Sequence, residues 1–226
     1  MIRFQIFLSA LIVIQLQAAM NTQFTFNDHT YQIYDDLRSW SDAQSYAASL
    51  TFGGASGYLA EINSAAENTA ILNALQANDS SFTQTASDGG NARYAWIGAN
   101  DNQNEGTWVW DNSGTNFWTG NGQSGSAQGG NYHNWGRNLT FNMYEPDDDL
   151  GNQDAGAIAL DSWPTGAPFS IGAAGQWNDL NSTNTMPYIV EYNAVPEYSQ
   201  MALALGLGSL GALFLRRHRS RSKSSN

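Results

Sequence analysis

Cysteine is absent from the 226 residues. That excludes a disulfide framework, thiol catalysis and any metal site built on thiolates. Histidine is almost as scarce: His29, His133 and His218 are scattered, the first reading as a turn residue, the second as a loop residue and the third as part of a basic tail. Basic residues are nearly missing from the body of the chain. Between positions 20 and 198, Arg38, Arg93 and Arg137 stand against 20 carboxylates, a net charge of −17. Such a body repels phosphate backbones, so nucleic acid is excluded as a partner. No HExxH, Gly-x-Ser-x-Gly, Walker or dinucleotide-binding motif occurs, and the reading is therefore of a protein that is not an enzyme.

Aromatic residues are plentiful, with eight Trp, ten Tyr and ten Phe, enough for a packed core in spite of 22 Gly. The two long apolar runs lie at the ends. Met1-Ile2-Arg3, then Phe4 to Leu16, then Gln17-Ala18-Ala19 reads as a signal peptide over residues 1–19, the alternative being a buried N-terminal helix. Met201 to Leu215 is stopped by Arg216-Arg217-His218-Arg219. With the residues before it, this run approaches the roughly 20 needed to cross a bilayer, which predicts a membrane helix at about 199–215 and a cytoplasmic basic tail. Val195-Pro196-Glu197, the apolar run and the Arg cluster together resemble the bacterial PEP-CTERM sorting segment, over residues 195–226. Tyr198 stands where that family has a second proline. The resemblance implies a transient anchor removed during export to the cell envelope; without it, the helix is a permanent membrane anchor.

The remaining body, residues 20–194, reads as one domain. Phe24 to Phe26, a turn at Asn27-Asp28-His29, and Tyr31 to Tyr34 predict a hairpin. Ser41-Asp42-Ala43-Gln44 and Ser64-Ala65-Ala66-Glu67 are capping-box patterns that open two helices. The first turns Ala43, Tyr46, Ala47 and Leu50 inward, the second Ile71, Leu72 and Leu75. Tyr94 to Gly98, Thr107 to Trp110 and Tyr188 to Tyr192 predict strands, with a long Gly-, Asn- and Trp-rich stretch from about 111 to 176. An α+β arrangement follows, its two ends brought together if the first and last strands pair. Within the long stretch, Glu145-Pro146-Asp147-Asp148-Asp149 places four carboxylates in five residues, with Gln153-Asp154 close behind. Carboxylates this dense repel one another unless solvent or a cation intervenes, and oxygen donors of this kind suit Ca²⁺.

Four local sequences then resemble the C-type lectin-like domain, in order and spacing. They are Trp96-Ile97-Gly98-Ala99, Glu145-Pro146-Asp147, Gln176-Trp177-Asn178-Asp179 and Tyr188-Ile189-Val190-Glu191-Tyr192. The resemblance implies a disulfide-free C-type lectin-like fold with two helices, small antiparallel sheets and a long calcium-binding loop. It also implies a cis Glu145–Pro146 bond. It assigns a principal, sugar-contacting Ca²⁺ site to Glu145, Asp147, Gln153, Asn178 and Asp179, and an auxiliary Ca²⁺ site to Asp101, Glu105, Asp148 and Asp154. The implied partner is a glycan, such as an exopolysaccharide or a cell-surface glycan; the alternative is a protein partner, with calcium kept for structure. Asp147 and Gln153 exchange the amide and the acid of the family's mannose-type pattern, so the charge around the cation is unchanged. One sugar hydroxyl would then face two acceptors, Glu145 and Asp147, and leave one carboxylate unpaired at a cost of about 1–3 kcal/mol. The pattern is neither mannose-type nor galactose-type. Trp118, Trp135 and Trp163 either stack on sugar rings or pack the loop.

Overall fold

The computed structural model describes residues 20–194. The expected signal peptide and the C-terminal segment, with the apolar helix expected there, both lie outside them. Among the described residues no helix is long and apolar enough to cross a membrane.

The chain opens with a hairpin of β1 (Met20–Phe26) and β2 (His29–Arg38), whose turn places Asn27 and Asp28 at positive φ. Helix α1 (Trp40–Ser49) follows, then β3 (Ala55–Leu59) and helix α2 (Ala65–Ala77). The N-cap of α1 is Ser39, whose Oγ accepts from Asp42 N, and not Ser41 as the capping-box reading predicts. Two serines two residues apart both precede the acid, and sequence spacing alone does not choose between them. Ser64 caps α2 as predicted, its Oγ accepting from Glu67 N. The longer strands that remain are β4 (Ala92–Asn100), β5 (Thr107–Trp110), β6 (Asn116–Thr119), β7 (Ala155–Ala159), β8 (Trp177–Leu180) and β9 (Met186–Tyr192), beside several two-residue strands, among them the pair Arg137–Asn138 and Met143–Tyr144.

The sheet runs β1-β2-β9-β4-β5-β6. The last strand joins the opening hairpin through its second strand, β2, with Tyr188 opposite Tyr34, and lies parallel to β4. Alternation along the central strands feeds two cores on opposite faces. Ala95, Ile97 and Ala99 of β4 join Ile189 of β9, Ile71 and Leu75 of α2, and the cluster of Trp108, Trp110, Trp135 and Trp177. Tyr94 and Trp96 of β4 join Tyr188, Val190 and Tyr192 of β9 and Ala43 and Ala47 of α1. Each helix thus covers one face. Tyr46, Leu50 and Leu72, expected inside, are only half-buried.

β7 has a sequence, Ala-Gly-Ala-Ile-Ala, that carries no strand signal, yet it is fully buried between β4 and β8. Small residues are what this position demands: a Cβ on Gly156 would lie 2.6 Å from the Ala99 Cβ. Gly98 meets the same kind of constraint. Its amide donates to Ala60 O at 2.8 Å, and a Cβ there would come within 2.6 Å of the Leu59 carbonyl oxygen. Backbone cannot yield as a side-chain tip can. Gly98→Ala is therefore expected to cost about 1–3 kcal/mol, as for other overpacked positions. A thermal melt should register it as a drop of about 2–4 °C per kcal/mol; an unchanged midpoint would show that β3 and β4 can separate at little cost.

Candidate metal centre

The start of β7 ties the site together. Asp154 immediately precedes it, and its carbonyl accepts from Asp101 N at 3.2 Å, just past the end of β4. On the other side Gly156 pairs with Asp179 of β8. Two groups of three carboxylates flank this strand end. Glu145, Asp147 and Asp179 form one, and Asp101, Glu105 and Asp154 the other. Within each group, one oxygen per residue lies within 4.8 Å of those of the others.

Burial distinguishes these acids from ordinary surface charge. Asp179 is 0% exposed, Asp101 3% and Glu145 5%, while Asp147 and Glu105 face solvent. Elsewhere buried carboxylates are satisfied: Glu67 accepts from Tyr31 Oη and Asn63 N, and Glu191 from Tyr58 Oη and Glu61 N. In the two groups each buried acid is bonded through one oxygen only. Asp179 Oδ2 accepts from Asp148 N at 2.8 Å, Glu145 Oε1 from Trp163 Nε1 at 3.2 Å, and Asp101 Oδ2 from Gly106 N at 2.9 Å. Their other oxygens, Asp179 Oδ1, Glu145 Oε2 and Asp101 Oδ1, are buried without a hydrogen-bond partner. Among the described residues these are the unpaired buried carboxylate oxygens, and all three belong to the two groups.

The electrostatics agree. Burial, followed by the charge of Asp147, pushes the Glu145 carboxyl up to about 8. Burial, followed by the charge of Glu145, raises Asp179 well above the usual range. Asp101 rises to about 7, through burial and then the charges of Glu105, Asp154 and Asp148. Asp147, open to solvent on one side, is raised by its partial enclosure in the loop and then by the charges of Asp149 and Asp148. Unpaired, mutually repelling oxygens favour either protons or a cation.

The other residues expected at these sites take supporting positions. Gln153 is buried with its amide engaged inside the loop: Oε1 accepts from Asp149 N at 2.7 Å and Nε2 donates to Asp88 O at 3.3 Å. Asn178 turns its Nδ2 inward to the Tyr94 hydroxyl at 3.1 Å. Asp148, at φ +50°, links the two groups: its amide bonds Asp179, its Oδ1 accepts from Gln153 N, and its charge is felt at Asp101. It stands outside both carboxylate trios. The Glu145–Pro146 bond is cis. Trp118, Trp135 and Trp163 pack the loop, all buried.

Sequence reasoning missed two supporting residues. Asp88 binds Asn181 N at 2.9 Å and the Asn184 amide at 2.8 Å, holding the turn after β8 against the Gln153 loop. Asn121 donates to Glu105 Oε1 at 3.3 Å and keeps a buried, unpaired Oδ1 beside the second group. Neither has a sequence signal, since isolated Asp and Asn residues abound in this chain.

This geometry agrees with comparison against known families, in which the lectin C-type domain matches residues 36–191. The chain belongs to the lectin C-type domain family. Halomucin of Haloquadratum walsbyi is 28% identical over 183 residues, which are 80% of this chain and 2% of that protein. A C-type lectin mannose-binding isoform of Notechis scutatus scutatus is 32% identical over 92 residues, 40% of this chain and half of that protein. The chain thus spans at most half the length of these relatives. Among solved structures, the C-type lectin CEL-I from Cucumaria echinata superposes with a TM-score of 0.51 at 22% identity, covering 78% of this chain and 99% of CEL-I. At that identity the likeness is one of fold. This lectin domain is disulfide-free, having no cysteine.

Proposed function

We propose that this lectin domain binds two calcium ions and, with their help, a carbohydrate, as an exported protein of the cell envelope and not as an enzyme. The carrying observation is the set of three buried, unpaired carboxylate oxygens, distributed between two trios of acids. Glu145, Asp147 and Asp179 would hold the principal ion, and Asp101, Glu105 and Asp154 the auxiliary one. All donors in both trios are hard oxygens, with no sulfur or imidazole, which is the donor chemistry of Ca²⁺. Once bound, the cation supplies charge neutralisation and open coordination for sugar hydroxyls. The residues themselves would fix its position: Trp163 and Asp148 each hold one ligand carboxylate by a single oxygen, leaving the other free. Residues 1–19 are proposed as the signal peptide, and 195–226 as the sorting or anchoring segment. A glycan array probed with the domain in calcium and again in chelator tests the reading. Binding of neutral glycans in calcium that is lost with chelator is expected; silence of those glycans in both conditions would sink it.

A second reading has an observation of its own. The amides of Gln153 and Asn178, which the family resemblance would present to sugar, make hydrogen bonds inside the protein. That favours structural calcium with adhesion to a protein partner. It predicts calcium-dependent melting that no sugar competes with or augments.

Because Asp101 and Glu145 are pushed up to about 7 and about 8, the metal-free groups hold protons at pH 6 that calcium must displace. Calcium affinity is expected to weaken from pH 8 to pH 6, with net proton release at pH 6. Calorimetric titration in two buffers of different ionisation enthalpy reads that release directly; identical heats in both buffers would contradict it.

A further inference from the structure

Beside the principal trio lies a cleft of about 370 Å³. Glu145 contributes to its lining, and so do Trp118, His133, Asn134, Arg137, Tyr144 and Gln176. Its volume falls within the range of about 300–1,000 Å³ typical of small-molecule sites. Its outer wall is held to the acidic loop by the Gly122 amide, which donates to Pro146 O.

Three features of the cleft are unexplained by folding. First, Arg137 is exposed and pairs with no carboxylate among the described residues, although residues 20–194 carry 19 acids and three arginines. The other two are engaged: Arg38 pairs with Asp36 at 2.7 Å, and Arg93 with Asp79 and Asp161 at 2.8 and 2.7 Å. Second, two ring nitrogens on its walls, Trp135 Nε1 and His133 Nδ1, are buried without a partner. Unpaired buried polar groups of this kind cost about 1–3 kcal/mol each. Third, the walls combine aromatic faces with polar rims. His133 lies against Trp118 with ring centroids 4.5 Å apart, and Gly125 lies against the same indole, where a Cβ would approach to 2.4 Å. Tyr144, half-buried, stands across the hairpin pair from Arg137.

We infer that this cleft is a second ligand subsite, which takes an anionic pyranose, a sugar ring bearing a carboxylate, with Arg137 as its counter-charge. A planar guanidinium matches a carboxylate through two parallel hydrogen bonds, and the polar rim suits ring hydroxyls. The half-buried rings of His133 and Tyr144 accept the sugar ring's C–H edge. The inference deepens the carbohydrate reading but does not depend on calcium, so the two fail separately.

The full chain is titrated with a glucuronic-acid trisaccharide and with its neutral methyl ester, following tryptophan fluorescence. Wild type is expected to bind the acid at least about tenfold more tightly than the ester. Arg137→Gln should lose about 10- to 100-fold in affinity for the acid, the cost of a charge-assisted hydrogen bond. Its melting temperature should be unchanged, because the side chain is exposed and unpaired. Wild type stripped of calcium with chelator should still bind the acid. Equal affinity for acid and ester, wild-type affinity in Arg137→Gln, or loss of binding by chelated wild type would each overturn the assignment. Failure of calcium to bind wild type would overturn only the calcium reading.

Discussion

Asp179→Asn is expected to destabilise the calcium-loaded protein and to stabilise the calcium-free one. Asp179 is completely buried, with Glu145 and Asp147 as its nearest charges and one oxygen unpaired. Asparagine keeps an oxygen for the Asp148 amide and removes the charge that burial and Glu145 both penalise. Without a cation that is a relief. With calcium, the substitution removes a ligand charge from the principal ion. A ligand at a hundredfold over its Kd contributes about 2.7 kcal/mol, or about 5–11 °C in Tm for a domain of this size. Melting curves of both proteins in calcium and in chelator decide the matter. A drop of the same size under both conditions would mean that Asp179 is a structural acid and no ligand.

The pH dependence of the calcium-free protein carries the same sign. Glu145 moves from 4.5 up to about 8 on folding, so the folded state keeps its proton longer than the unfolded chain. The stability associated with that proton is fully present below about pH 4.5 and is lost as pH rises through about 8. Chelated wild type should therefore weaken across that window, and Asp179→Asn should flatten the decline.

Trp177→Ala should have the largest effect on the fold itself. The indole is fully buried, edge-on to Trp110, Phe117 and Trp135, and its Nε1 donates to Asn68 Oδ1 at 2.8 Å. Truncating such a side chain costs about 3–5 kcal/mol, and the stranded Asn68 oxygen adds to it. Against a typical total of 5–15 kcal/mol, this consumes a large share of the stability. Because Trp177 directly precedes Asn178 and Asp179, calcium-induced stabilisation should fall with it. Chemical denaturation checks the magnitude. A cost under about 1 kcal/mol would contradict the packing described for this core.

The elements that announced themselves are those with strong local signals. The hairpin has a turn bounded by aromatic runs, α2 has a serine cap and apolar spacing, and β4, β5 and β9 are rich in Trp, Tyr, Ile and Val. β7 stayed hidden because alanine and glycine have little strand preference, and only the close approach of Ala99 makes small residues necessary there. The choice of Ser39 over Ser41 as cap was equally invisible, since it depends on where the chain enters the helix.

At the site, the residue types determined the chemistry. A chain without cysteine, poor in histidine and dense in carboxylates can offer hard oxygen ligands and little else, and it was the resemblance to the C-type lectin-like domain that singled out Asp101, Glu105, Glu145, Asp147, Asp154 and Asp179 among them. Which oxygens remain free was decided by tertiary structure. β7 must lie between β4 and β8 before Asp101 and Asp154, or Glu145 and Asp179, can meet across distances of 34 to 53 residues in sequence. The same packing commits the amides of Gln153 and Asn178 to Asp149, Asp88 and Tyr94, and leaves Arg137 without an acid. Composition sets the donors a chain owns; hydrogen bonding in the folded state, where every buried group competes for partners, sets which of them are left for a ligand.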